Sequence, residues 1–125
     1  MRKTYYIWTM GCQMNDADSR AVMDALEMRG YRPAQGPADA DVILLNTCVV
    51  RASAENKAVS RLMSLRPLKM RRPEIVLAVM GCLVGEDEAA LRQRFPFVDL
   101  FLKPSHPEPL WALLDGMSQI GRAHV

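Results

Sequence analysis

Val42-Ile43-Leu44-Leu45-Asn46-Thr47-Cys48 (VILLNTC) is an apolar run that turns polar only at its end and closes on a cysteine. With no alternation of apolar and polar residues, it predicts a strand from Val42 to Asn46 buried on both faces. That is the mark of a parallel sheet covered by helices. Two other segments finish in the same way. Lys3 to Thr9 (KTYYIWT) reads as a strand and runs into Met10-Gly11-Cys12, and Ile75 to Met80 reads as a buried strand and runs into Gly81-Cys82. The tripeptide Met-Gly-Cys thus occurs twice, and the chain's three cysteines all follow predicted strands.

Between the strands the pattern turns helical. Val22, Met23 and Leu26 fall at helical spacing behind Asp16 or Asp18 as caps, and Gly30 stops that helix. Tyr31 to Pro33 is a candidate edge strand, since its proline has no place in a central one. Pro37 to Asp41 reads as a turn. Ser53 is a candidate cap for a helix to about Leu65, with Ala54, Ala58, Leu62 and Leu65 on one stripe, and Pro67 and Pro73 bracket a basic loop. A helix over Glu86 to Arg94, a strand over Val98 to Leu102 and a helix over Pro107 to Met117 complete the chain. The order predicts an α/β fold: an open, mostly parallel sheet of four or five strands with helices on both faces, a flavodoxin-like three-layer arrangement.

Composition agrees with one ordinary globular domain. The 125 residues are 50% apolar and 24% charged, with a net charge of +2. That balance does not by itself argue for nucleic acid. The longest apolar run, Ile75 to Val84, is too short to cross a bilayer, and the start Met1-Arg2-Lys3 does not read as a secretory signal. An odd number of cysteines without a signal argues against a disulfide framework and fits a reducing cytoplasm.

In an open parallel sheet, functional groups gather at the carboxyl ends of the strands. If their strands are neighbours, Cys12, Cys48 and Cys82 converge there. The helix amino ends behind them add positive potential that lowers thiol pKa. Three thiolates suit a soft metal centre. A structural zinc site wants four ligands and local C-x-x-C pairs, which are absent, and the two histidines, His106 and His124, lie far along the chain. A phosphatase-type loop needs an arginine six residues after its cysteine, where this chain has Asp18, Ala54 and Glu88. Spacing alone leaves two readings open: a shared metal or cluster, or three thiols packed as small hydrophobes in a cluster-free flavodoxin-like binding module.

The motifs also resemble a known family. Thr9-Met10-Gly11-Cys12-Gln13-Met14-Asn15 with Asp18-Ser19, Asp41 to Cys48 followed by Arg51, Ala54, Glu55 and Lys57, Val79 to Cys82, and Phe97-Val98-Asp99-Leu100 resemble the amino-terminal domain of the radical-SAM methylthiotransferases. The Gln-Met-Asn form is similar to the tRNA branch, which methylthiolates isopentenyladenosine beside the anticodon. The resemblance implies an auxiliary [4Fe-4S] cluster held by Cys12, Cys48 and Cys82, with one iron open to the sulfur to be transferred. S-adenosylmethionine and a second cluster, on a C-x-x-x-C-x-x-C motif, belong to a following domain. No such motif occurs in this chain, so residues 1–118 are expected to form the cluster domain and 119–125 the start of a linker, inactive alone. Implied partners are tRNA, through the intact enzyme, and a sulfur donor or cluster-assembly proteins, with no membrane. Leu83-Val84-Gly85-Glu86 and Lys103-Pro104 depart from the family's usual residues at those places.

Gln13, Asn15, Asn46, Thr47 and Arg51 are candidates to contact the cluster: the first four through hydrogen bonds to its sulfurs, the arginine by offsetting its charge. Strand-end turns satisfying their own backbone, and a solvated arginine, are the alternatives. Lys57, Arg61, Arg66, Lys69, Arg71 and Arg72 lie in a stretch without an acid, a candidate RNA-phosphate surface or a solvated helix and loop. Helical methionines such as Met23, Met28 and Met63 are expected in the core.

Overall fold

The computed structural model describes residues 4–9, 13–47, 52–81, 88–103 and 106–123, with the side chains of 13–15, 52–58, 81, 88 and 117–123 excepted. Five strands form one sheet: β1 (Thr4–Thr9), β2 (Arg32–Pro33), β3 (Val42–Thr47), β4 (Val76–Gly81) and β5 (Leu100–Leu102). Their order is β2-β1-β3-β4-β5 and every pairing is parallel. This is the flavodoxin-like order, in which the chain reverses direction across the sheet between β1 and β3.

Strand periodicity divides the core into two layers. Tyr6 and Trp8 of β1, Ile43 and Leu45 of β3, Leu77 and Val79 of β4 and Phe101 of β5 face helices α2 (Ala52–Arg71) and α3 (Glu88–Arg94). Tyr5, Ile7, Val42, Leu44, Val76, Ala78, Met80 and Leu102 face α1 (Gln13–Met28) and α4 (Glu108–Ala123). All six residues of β3 are buried, as its unbroken apolar run predicts. The α/β three-layer expectation therefore holds, and Pro33 lies on the edge strand, where its missing N–H costs no ladder bond.

Gly30 ends α1 as expected. Its φ of 90° is a left-handed conformation that favours glycine. The amides of Gly30 and Tyr31 donate to the carbonyls of Glu27 and Leu26, both at 3.0 Å, closing a Schellman motif.

Several boundaries differ from the sequence expectations. The first helix begins at Gln13, so Asp16 lies inside its first turn, where the macrodipole favours a carboxylate, and neither Asp16 nor Asp18 is the cap. The second helix does not stop near Leu65. It starts at Ala52, ahead of Ser53, and continues through Pro67 to Arg71, so the expected basic loop is helical. Tertiary anchors outweigh the proline: Leu62, Leu65 and Leu68 are buried in series, and Lys69 is tied to the carbonyls of Pro73 and Ile75. The last helix runs to Ala123 rather than Met117, because Gly116 weakens a helix by only about 1 kcal/mol and no proline follows. The strand expected from Val98 begins at Leu100. Met28 and Met63 are not core: they are 87% and 41% exposed, since they lie off the stripes that face the sheet. Among the described residues no helix is long and apolar enough to cross a membrane.

A candidate metal centre at the carboxyl edge of the sheet

The strands that precede the three cysteines are β1, β3 and β4, and they are consecutive in the sheet. Thr9 is in register with Asn46, Asn46 with Met80, and Thr47 with Gly81. Neighbouring strands stand about 4.8 Å apart, so the three ends fall within about 10 Å along one edge. In sequence, Cys12 comes three residues after Thr9, Cys48 directly after Thr47 and Cys82 directly after Gly81. Cys12, Cys48, Cys82 and Arg51 themselves lie outside the described residues, as do the side chains of Gln13 and Asn15. Helix α1 begins at Gln13, next to that edge, and its amino end carries the positive pole of the dipole.

Beneath this edge lies a buried polar layer. Thr9, Asn46 and Met80 form a row on the sheet face covered by α1. Ser19 of α1 reaches down to that row and is 3% exposed. Its hydroxyl shares a 2.7 Å hydrogen bond with Thr9 Oγ1 and accepts one of 3.0 Å from Asn46 Nδ2. On β3, the fully buried Thr47 donates from Oγ1 to the carbonyl oxygen of Met80 at 3.3 Å. A hydroxyl has one proton to give, so in this arrangement Thr47 spends it on β4. Asn46 and Thr47 are thus at the edge the sequence points to, and they bind the strand ends and α1 to one another.

Ser19 escaped the sequence reading as a site residue. The signal was present: it sits at i−3 from Val22 and i−7 from Leu26, on the apolar stripe of α1. A polar residue there is buried at a cost unless it is hydrogen-bonded.

The basic stretch is largely used inside the fold. Lys69 Nζ donates to Asp99 Oδ2 at 2.8 Å, and Arg72 pairs with Asp41 and Glu74, each at 3.1 Å. Arg61 lies over the Trp8 ring, 4.1 Å from its centre, and Tyr6 meets that ring edge-on at 6.2 Å. Lys69 and Arg72 are thus engaged within the fold, because two loop carboxylates, Asp41 and Asp99, precede β3 and β5 within their reach. Arg66 and Arg71 are exposed, and the Lys57 side chain lies outside the described ones.

Among the described residues no three His, Cys, Asp or Glu side chains gather as a metal ion requires. In sequence, three soft thiolate donors follow the ends of three adjacent strands, and those strand ends carry a buried polar layer and stand beside the amino end of α1, a setting that suits an anionic thiolate cluster.

Comparison with known proteins gives the chain's family. Residues 4–103 match the family described as "Uncharacterized protein family UPF0004". A protein of Dehalococcoides mccartyi named tRNA-2-methylthio-N(6)-dimethylallyladenosine synthase is 49% identical over 100 residues, 80% of this chain and 24% of that protein. Proteins of the same name from Herpetosiphon aurantiacus and Moorella thermoacetica are each 40% identical, over 90% and 99% of this chain and 26% and 28% of their own lengths. The chain spans about a quarter of the length of the curated relatives it matches. With 100 of its 125 residues matched, and with tRNA methylthiotransferases as its homologues, the chain belongs to the UPF0004 family, the amino-terminal domain of the methylthiotransferases.

Proposed function

We propose that this chain is the auxiliary [4Fe-4S] cluster domain of a tRNA methylthiotransferase acting on isopentenyladenosine beside the anticodon, and that Cys12, Cys48 and Cys82 hold the cluster. The observation that carries this reading is the adjacency of β1, β3 and β4, whose carboxyl ends the three cysteines follow in sequence. The names of the relatives supply the substrate class.

A cluster bound there would offer an iron not held by cysteine, open to the sulfur that is transferred. The chain's own residues would provide three thiolates, and the amino end of α1, which begins directly after Cys12 in sequence, would favour their negative charge. The polar layer of Thr9, Ser19, Asn46 and Thr47 holds the strand ends that the cysteines follow in sequence. The chain contains three cysteines and no C-x-x-x-C-x-x-C motif, so cleavage of S-adenosylmethionine, with a second cluster, is assigned to other parts of the enzyme. Delivery of sulfur and iron by donor or assembly proteins, and work in the reducing cytoplasm, follow from the same reading.

The test is anaerobic reconstitution with iron and sulfide, read by visible absorption and iron content. The expected result is about four irons per chain, the content of one cubane, lost when Cys12, Cys48 or Cys82 is changed singly to Ala. No iron uptake, or uptake indifferent to all three changes, overturns the reading and leaves a cluster-free flavodoxin-like module.

A further inference from the structure

We infer that Ser19 is the positioning residue of this cluster site, acting through Thr9 and Asn46 to fix the ends of β1 and β3 that Cys12 and Cys48 follow in sequence. The inference rests on the cluster reading above. β1, β3 and α1 meet at Ser19 Oγ, 2.7 Å from Thr9 Oγ1 and 3.0 Å from Asn46 Nδ2. Thr9 lies three residues before Cys12 and Asn46 two before Cys48, while Ser19 lies seven after Cys12. The bond from Thr47 to Met80 O then carries the same bracing to β4, two residues before Cys82.

Packing alone does not account for a hydroxyl here. Ser19 is 3% exposed on the stripe that continues through Val22 and Leu26, where an aliphatic side chain would bury more apolar surface. A serine serves better only for its bonds: a small group with one donor and two acceptor positions, able to meet a threonine and an asparagine together. The geometry also gives leverage. Ser19 is about 9 Å along the helix from Gln13, so a tilt of about 10° at this point displaces the start of α1 by roughly 1.5 Å. Ligand sets tolerate errors of about 0.5 Å.

The experiment compares reconstituted wild-type chain with Ser19→Ala, Ser19→Thr, Thr9→Val and, as a control, Thr4→Val. Thr4 Oγ1 donates to Asp39 O at 2.8 Å at the opposite edge of the sheet. Two quantities are read: the rate of iron release to a chelator and the melting temperature of the iron-free chain. Ser19→Ala is expected to release iron about tenfold faster, the lower end of what loss of a ligand's supporting bond does. Ser19→Thr, which keeps the hydroxyl, stays within about twofold, and Thr9→Val falls between. Thr4→Val lowers the melt and leaves release unchanged. Release from Ser19→Ala at the wild-type rate overturns the inference, as does equal acceleration in Thr4→Val, which would make the effect one of general stability. If Ser19→Ala does not fold, Thr9→Val decides by the same criterion. A wild-type chain that takes up no iron fails the cluster reading itself and this inference with it. Uptake by wild type with an indifferent Ser19→Ala fails this inference alone.

Discussion

Replacing Pro67 with alanine should stabilise the domain, and the size of the gain is set by the path of α2. The helix runs from Ala52 to Arg71 with Pro67 in its interior. A proline there removes the N–H that would bond to the carbonyl of Met63, and its ring crowds that carbonyl. Relative to alanine this costs about 3 kcal/mol in a helix interior. The fold bears that cost because the turn beyond is held: Leu68 is 8% exposed, Lys69 bonds Asp99, and the Arg72 amide donates to Leu68 O at 2.9 Å. Pro67 itself is exposed, so alanine leaves no cavity. Against the gain stands the freer unfolded chain of the alanine variant, worth up to about 1 kcal/mol. The net is about 2 kcal/mol. For 125 residues the unfolding entropy is about 0.26 kcal/mol/K, so the midpoint should rise by roughly 8 °C. Calorimetric or circular-dichroism melts of the iron-free chain measure it. In the Pro67→Ala background, Leu68→Ala should then remove about 2 kcal/mol or more. A midpoint unchanged within a degree or two, with Leu68→Ala equally silent, would refute the continuous helix and restore a loop after Leu65.

Asp99 should matter more than its partial exposure suggests, because its Oδ2 accepts from both Lys69 Nζ and the Leu77 amide, each at 2.8 Å. Asp99→Ala is expected to cost about 1–2 kcal/mol in urea denaturation, with Asp99→Asn recovering part of it; a loss under about 0.3 kcal/mol would contradict the pairing. Tyr5 contributes to the alkaline limb alongside Tyr31, whose hydroxyl pKa is also raised by burial. Burial first, then the negative charges of Glu27 and Asp24, push the Tyr5 hydroxyl above the ordinary tyrosine value. Its contribution is therefore fully present below about pH 10, where the unfolded tyrosine also keeps its proton. It is lost as the pH climbs from there through the raised folded value, since the unfolded chain gives up that proton first. Urea midpoints should fall between about pH 9 and 11, and Tyr5→Phe should flatten that fall; an equal slope in the variant would refute the assignment.

Much of the architecture is written in short-range patterns. The unbroken apolar run of β3 announces burial on both faces, Gly30 announces the end of α1, and Pro33 announces an edge. These are local properties: each depends on what a residue's own backbone and side chain permit within one or two turns. The same holds for the placement of Cys12, Cys48 and Cys82 behind three strands, which is visible without any knowledge of which strands are neighbours.

Neighbourhood is what the tertiary structure decided. The order β2-β1-β3-β4-β5 makes the three strands that precede the cysteines consecutive, and no periodicity in the chain encodes that order. Ser19 looks like an off-pattern residue on an apolar stripe until Thr9 and Asn46, 10 and 27 residues away, close on its hydroxyl. Lys69 and Arg72 look like free cations of a basic stretch until Asp99 and Asp41, 30 and 31 residues distant, claim them. Pro67 looks like a helix stop until the burial of Leu68 carries the helix past it. In each case a contact between distant segments outweighs a local preference of about 1–3 kcal/mol. The sequence by itself therefore determined the elements and the chemistry each one ends on, and only the packed sheet decided which of those ends stand side by side.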